Sequence, residues 1–337
     1  MSAAGPPQGA NQAPAGGSAA AKPQAWGEHT RARFDIVALG EAMVEFNAAR
    51  AADARAWLQG FGGDTSNTII AAARLGARTA YATRVGDDAF GRLLLALWQE
   101  EGVATDGVAV DAERPTGVYF VSHGETGHAF SYLRHGSAAS AMTPASLPLD
   151  VLRSTRVLHL SGISQAISTS ACDACFAAID VARTAGAKIA YDTNLRLKLW
   201  PLARARAVIA ESLRLADWAL PSHDDATHLF GDDDPVGIVE RCHALGARVV
   251  VLKLGREGCL VSDGARRERI EGRRVASVDA TGAGDCFDGA FEARMVAGDD
   301  AFAAARYANC AAAIATTGYG AVAPLPHPAL VGRMMDG

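Results

Sequence analysis

The sequence is short of several things, and each shortage removes a class of function. No apolar run approaches the ~20 residues that a membrane-crossing helix requires, and the first residues carry no charged-then-apolar leader pattern. The expectation is therefore a cytoplasmic protein without a membrane partner. Basic residues do not dominate: 32 Lys and Arg stand against 37 Asp and Glu, a formal net charge of −5. A nucleic-acid surface normally shows a basic patch or stripe that neutralises phosphates, so no nucleic-acid partner is expected. The six cysteines are scattered through apolar or helical surroundings and make no disulfide framework. The lone Cys172-x-x-Cys175 lacks the second ligand pair that zinc demands, so these thiols read as small buried hydrophobes. The histidines form no metal set. His123 and His128 flank a turn and read as solvated, while His223 and His228 are poorly spaced for a shared helical site. Neither a G-x-x-x-x-G-K-[ST] phosphate loop nor a G-x-G-x-x-G dinucleotide turn occurs, which disfavours P-loop kinases and Rossmann dehydrogenases.

What is present is enough apolar material for a large core: 49% hydrophobic residues and 20% charged in 337 residues. Residues 1–32 are rich in Ala, Gly, Pro and Gln with almost no large apolar side chains. Such a stretch cannot offset its ordering entropy, so a disordered tail is expected there, followed by one domain over 33–337. From Phe34 onward short β-rich runs alternate with helical patterns. Strands are expected at 34–39, 79–84, 157–161, 188–192, 217–220, 248–254 and 258–262. Helices are expected at 65–75, 89–101, 170–185, 202–215 and 236–245, with Gly76, Gly186 and Gly246 at their C-terminal ends. This alternation predicts an α/β fold: a three-layer α/β/α body with a mostly parallel central sheet, binding ligands beyond the C-terminal strand ends. Two β-rich stretches without following helices, about 43–62 and 108–134, suit a small inserted β-lid. After Thr281 two Ala-rich helices are expected, 282–296 and 301–316.

The segment Asp279-Ala280-Thr281-Gly282-Ala283-Gly284-Asp285 carries the chemistry. It is a glycine-rich turn running into a helix, which presents free backbone N–H groups and the positive end of the helix dipole to an anion. Gly282 and Gly284 let phosphate approach the backbone. Asp285, in the first helical turn, can accept a proton from an attacking hydroxyl; in isolation it reads equally as a capping aspartate.

The whole segment closely resembles the second signature of the ribokinase-like (PfkB) carbohydrate kinases, Asp-Thr-x-Gly-Ala-Gly-Asp. The first signature has its counterpart in Gly62-Gly63-Asp64-Thr65-Ser66-Asn67, followed by Ala71-Ala-Ala-Arg-Leu-Gly76 and Val85-Gly86-Asp87-Asp88-Ala-Phe90-Gly91. The resemblance covers essentially everything from residue 34. It implies a ribokinase-like fold and an ATP-dependent sugar kinase, with Asp285 as catalytic base and Gly282, Ala283 and Gly284 as the anion hole. By the same resemblance ATP would be held by Asn194, Arg196, Ser222, Lys253, Gly255, Gly258, Gly282, Gly284 and Asn309. Mg²⁺ is expected with it, a monovalent cation is left open, and a dimer or larger homo-oligomer is expected.

Charged residues narrow the acceptor. Arg134 ends a lid strand, and Arg196 follows the strand ending at Asp192. A neutral sugar has no need of arginine, whereas a sugar acid does, because guanidinium binds carboxylate through paired charge-assisted hydrogen bonds. Arg134 is placed on the substrate carboxylate, with Arg196 bridging substrate and phosphate; ATP phosphates or surface ion pairs are the other readings of both. Asp64 is either a hydroxyl ligand or the cap of its helix. The runs Tyr132-Leu-Arg134-His-Gly-Ser137-Ala-Ala, Leu160-Ser-Gly-Ile163-Ser and Asn194-Leu-Arg-Leu-Lys-Leu-Trp200 are similar to those of the 2-keto-3-deoxygluconate kinases. That branch implies that Gly63, Asp64, Thr65, Ser66, Asn67, Tyr119, Tyr132, Arg134 and Arg196, with Asp285, hold the sugar acid. Fructose, ribose, a related keto-deoxy acid, or a non-catalytic sensing role are the alternatives. Where many relatives carry Asn-x-x-Glu near the magnesium, this chain has Ser222-His-Asp-Asp225, so an indirect metal role falls to the shorter Asp225.

Overall fold

The structure is a computed structural model that describes Met1, Ser2, Gly5 and residues 32–48, 56–124 and 127–336, without the side chains of 123–128. The tail expected over 1–32 lies almost wholly outside the described residues, as do the hairpin tip at 125–126 and the side chains of His123 and His128.

The strands are β1 (Phe34–Leu39), β2 (Met43–Ala48), β3 (Trp57–Gly62), β4 (Thr79–Gly86), β5 (Ala104–Asp111), β6 (Val118–Gly124), β7 (Gly127–Leu133), β8 (Thr155–Ser161), β9 (Lys188–Asp192), β10 (Trp218–Ala219), β11 (Val249–Lys253), β12 (Gly258–Ser262) and β13 (Arg267–Glu271). The helices are α1 (Asp64–Arg74), α2 (Ala89–Glu100), α3 (Leu149–Arg153), α4 (Gly162–Ala166), α5 (Thr169–Thr184), α6 (Leu202–Leu215), α7 (His223–Phe230), α8 (Pro235–Leu245), α9 (Ala283–Ala297), α10 (Ala301–Ala315) and α11 (Pro328–Asp336). Side-chain caps start several of them: Asp88, Ser168, Asp234 and Asp300 each accept a backbone N–H of the first turn of their helix.

A nine-stranded sheet runs in the order β13-β12-β11-β10-β9-β8-β1-β4-β5. Every pairing from β11 to β5 is parallel, and β12 and β13 extend one edge antiparallel. Parallel neighbours need crossovers, and helical crossovers cover both faces. β1 shows what this asks of the sequence. Ile36 and Ala38 belong to the apolar cluster that includes α1, α9 and α10, while Phe34, Val37 and Leu39 belong to the cluster that includes α5 and α6. From Ile36 to Leu39 successive residues thus alternate between two dry faces, and the one charge, Asp35, is taken up by Arg78 and Arg156.

α1 and α9 cross at close quarters. A Cβ added to Gly289 would stand 2.3 Å from the Thr68 carbonyl oxygen, so the contact depends on glycine. It brings the start of α1 against the start of α9.

A second sheet of four strands has the order β3-β2-β6-β7. β2 follows β1 directly and β3 runs into α1, which places this sheet at the C-terminal end of the central strands. Phe120 joins it internally, stacking on Phe46 at 5.5 Å and meeting Trp57 edge-on at 5.4 Å. The lid expected over 108–134 is shorter at its start: residues 108–111 belong to β5, which pairs with β4 as the edge of the central sheet. A half-buried edge strand and a lid strand have the same alternating pattern, which is why the sequence did not separate them.

Candidate active site

β1 is flanked by β4 on one side and β8 on the other, so successive connections diverge there and leave a crevice beyond the C-terminal strand ends. Glu41 follows β1, Asp192 ends β9 and Lys253 ends β11, while α1 and α9 begin on the same side.

The glycine turn is built by Asp279. Its Oδ1 accepts the Thr281 amide at 2.9 Å and the Thr281 hydroxyl at 2.6 Å, and its Oδ2 accepts the Gly320 amide at 3.0 Å. Gly282 then takes φ 75°, a left-handed conformation that suits glycine. The first helical bond of α9 runs from the Cys286 amide to the Gly282 carbonyl at 2.8 Å, so the Gly284 and Asp285 amides precede it and lack intrahelical acceptors. The Ala283 amide donates to the Ala280 carbonyl at 3.2 Å. Of the three residues expected to form the anion hole, Ala283 therefore already has an acceptor within the turn.

Asp285 sits at this helix start, and Asn67 of α1 donates to its Oδ2 at 2.7 Å. Desolvation, then the Asp64 carboxylate, push the Asp285 carboxyl up to about 7, while the Asn67 hydrogen bond and Lys253 pull the other way. A carboxylate poised there can accept a proton at neutral pH. Asp64 is tied to the far side of the site by Asn194, which donates to Asp64 Oδ2 at 3.1 Å. Asn194 holds φ 28°, an uncommon value for a residue with a side chain. Asp64 Oδ1 and Asn67 Oδ1 are buried with no hydrogen-bond partner among the described residues. Thr65 and Ser66, by contrast, serve the core: Thr65 pairs with the Tyr81 hydroxyl at 2.9 Å, and Ser66 accepts from Trp98 Nε1 at 2.9 Å.

On the lid, Tyr119 and Tyr132 are cross-strand partners with stacked rings 5.8 Å apart. The Tyr119 hydroxyl donates to Glu45, and it lies only 2.3 Å from where a Cβ on Gly62 would be. Arg134 is engaged within the protein: its Nε donates to Glu41 Oε2 at 2.7 Å, and Ser137 donates to the other Glu41 oxygen. Glu41 and Glu45, buried acids after β1 and in β2, were missed from the sequence, where each looks like an ordinary polar residue.

The nucleotide-side candidates spread along β9 to β13. Arg196 is exposed and donates to the Leu195 carbonyl at 2.8 Å. Ser222 caps α7, accepting the Asp225 amide at 3.2 Å, and pairs by backbone with Lys253. Burial, then Asp192, raise the Asp225 carboxyl above the usual range, with Arg196 opposing. Gly255 and Gly258 bound the turn between β11 and β12, and Asn309 donates to the Glu271 carbonyl at 2.7 Å. Lys253 Nζ lies 2.9 and 2.8 Å from the two Asp288 oxygens and 3.2 Å from Asp192. Asp288 and Asp192 were also missed. Asp288 gave one readable signal: an acid one turn after Asp285 on a helix whose remaining first turns are apolar. Among the described residues no three His, Cys, Asp or Glu side chains are grouped to hold a metal ion by themselves, and no helix is long and apolar enough to cross a membrane.

Residues 33–328 match the profile described as pfkB family carbohydrate kinase. The 2-dehydro-3-deoxygluconokinase of Thermoproteus tenax is 35% identical over 309 residues, covering 89% of this chain and 94% of that one. The probable fructokinase-4 of Arabidopsis thaliana is 33% identical over 317 residues, with 90% and 97% covered. Among solved structures, a fructokinase from Vibrio cholerae O395 in fructose-, ADP- and calcium-bound form superposes with a TM-score of 0.80 at 27% identity, covering 89% of this chain and 98% of that one.

Proposed function

This chain belongs to the pfkB family of carbohydrate kinases, and on that premise we propose that it transfers the γ-phosphoryl group of ATP to the terminal 6-hydroxyl of 2-keto-3-deoxygluconate. The observation that carries a polyhydroxy acceptor is the pair of unpartnered acceptors, Asp64 Oδ1 and Asn67 Oδ1, on the same two side chains that flank Asp285 electrostatically and by hydrogen bond. Buried acceptors without donors are costly, and sugar hydroxyls supply donors. In the reaction the acceptor oxygen bonds to the γ-phosphorus, its proton passes to Asp285, and the bond to the bridging oxygen breaks to release ADP. The Gly284 and Asp285 amides and the α9 dipole favour the negative charge on the transferring group. Mg²⁺, when bound, would supply positive charge against the phosphates, and a protein site for it would need few carboxylates. A single carboxylate fits that demand, and Asp225, half-buried and crowded by Asp192, would hold the ion.

Arg134 and Arg196 support the acid. Glu41 orients the Arg134 guanidinium, and exposed Arg196 donates to a backbone carbonyl as its one hydrogen bond among the described residues. A neutral ketose such as fructose is the second reading, favoured by the same Glu41, whose buried carboxylate balances the Arg134 charge. ADP release measured across neutral sugars and sugar acids decides between them. The proposal expects the highest kcat/KM for 2-keto-3-deoxygluconate and a raised KM for that acid in Arg196→Ala; a preference for fructose refutes the sugar-acid assignment.

A further inference from the structure

Lys253 was expected on the nucleotide by resemblance to the family's ATP-side residues. Its surroundings point elsewhere. The ammonium is nearly buried, with a side chain 11% exposed, and its close contacts are all carboxylate: both oxygens of Asp288, whose side chain is fully buried, and Asp192. Of the three protons an ammonium can donate, Asp288 takes two through its paired oxygens, and Asp192 stands at ion-pair distance. The same Nζ lies 3.8 Å from where a Cβ on Gly284 would be, so it stands directly under the glycine turn.

The neighbourhood is strongly acidic. Asp285 is faced by Asp64 from α1, Asp192 from β9 and Tyr119 from β6, with Asn67 as the neutral donor from α1. Asp288 in turn is faced by Asp192 and by Glu292, which pairs with His159 of β8 at 2.6 Å. Lys253 is the cation that faces both Asp285 and Asp288 and favours their charged forms. Without it Asp285 would ionise beside two further carboxylates, and like charges oppose ionisation.

We propose that Lys253 is a positioning residue: clamped by Asp192 and Asp288 beneath the glycine turn, it supplies the positive charge that keeps Asp285 competent as a base, and it does not bind ATP phosphate. Asp288 completes the device by fixing the ammonium and offsetting part of its charge. This assignment deepens the kinase reading and rests on it for the word base. The charge coupling itself is a property of the free protein.

Two variants pull in opposite directions. Lys253→Met together with Asp288→Leu replaces the buried pair by apolar groups, a change that folded cores often tolerate. It leaves Asp285 without its cation, so the midpoint of its titration rises by roughly one unit. Asp288→Asn leaves the lysine charge less compensated, and the midpoint falls. The free protein, ¹³C-labelled at aspartate carboxyls, reads this by NMR titration, with the Asp285 signal assigned by its loss in Asp285→Asn. The acid limb of kcat/KM moves the same way in ADP-release assays. Opposite shifts in the two variants support the proposal. Unmoved or same-direction midpoints overturn it, and so does a tenfold rise in KM for ATP with an unmoved midpoint, which returns Lys253 to the phosphates. Loss of sugar phosphorylation with the NMR shifts intact would strike the kinase reading alone.

Discussion

Replacing Asn67 by leucine tests the electrostatics of the site most sharply. Asn67 Nδ2 donates to Asp285 Oδ2 at 2.7 Å, and Asn67 is only 4% exposed. A hydrogen bond to a charged group contributes about 1.5–3 kcal/mol, and one pKa unit corresponds to about 1.4 kcal/mol. Losing the donor should therefore lift Asp285 from about 7 by roughly one to two units. At pH 7 the base form drops from about half to roughly 1–9% of molecules, a five- to fifty-fold loss in kcat/KM. At pH 9 this part of the loss shrinks to about two-fold or less. On the proposed reading Asn67 also offers its buried Oδ1 to the acceptor, so some loss persists at every pH as a raised sugar KM. The assay is ADP release against pH at low sugar concentration, where the acid limb reports the free enzyme. A limb that keeps its midpoint while the plateau falls would refute the argument, reducing Asn67 to a sugar contact.

Other consequences follow from the same contacts. Arg134→Ala leaves Glu41, whose side chain is fully buried, without its cation. Stability should fall by about 3–5 kcal/mol, and adding Glu41→Gln should recover most of it in denaturant melts; no recovery would show that Arg134 stabilises by packing alone. Gly289→Ala forces a methyl to within 2.3 Å of the Thr68 carbonyl oxygen. It should cost about 1–3 kcal/mol and lower kcat by displacing Asp285 from Asn67, whereas an unchanged melt would mean the helices part freely. Asp285→Asn should stabilise the protein more at high pH than at low. The native carboxyl titrates at about 7 against an ordinary 3.8, so its ionisation penalises the fold above pH 4, fully so above pH 7. A melting-temperature gain that is equal at pH 4.5 and pH 8.5 would contradict the raised value.

The glycine turn and Asp285 were legible because their chemistry is local. A turn with glycines at fixed offsets, followed at once by an acid and a helix, has few other uses. The parallel sheet was legible through the alternation of strand and helix patterns along the chain, a signal that needs no distant partner. What the sequence concealed depended on partners far along the chain. Glu41 meets Arg134 and Ser137 across 93 and 96 positions, and Lys253 meets Asp288 across 35. Nothing in the composition of either segment announces such pairings. The lysine was assigned to the nucleotide by family resemblance, which does not reveal which charges surround it. Residues 108–111 were misplaced for a related reason, since periodicity tells which face of a strand is buried but not which sheet receives it.

The central claim is that Asp285 removes the proton from a sugar hydroxyl as the γ-phosphoryl group of ATP is transferred. ADP release by Asp285→Asn at saturating 2-keto-3-deoxygluconate and ATP, at pH 8, tests it most directly, with binding of the sugar followed in parallel by calorimetry. The account predicts a fall in kcat of roughly 10²–10⁴-fold with sugar binding retained; turnover near that of the unsubstituted enzyme would contradict it.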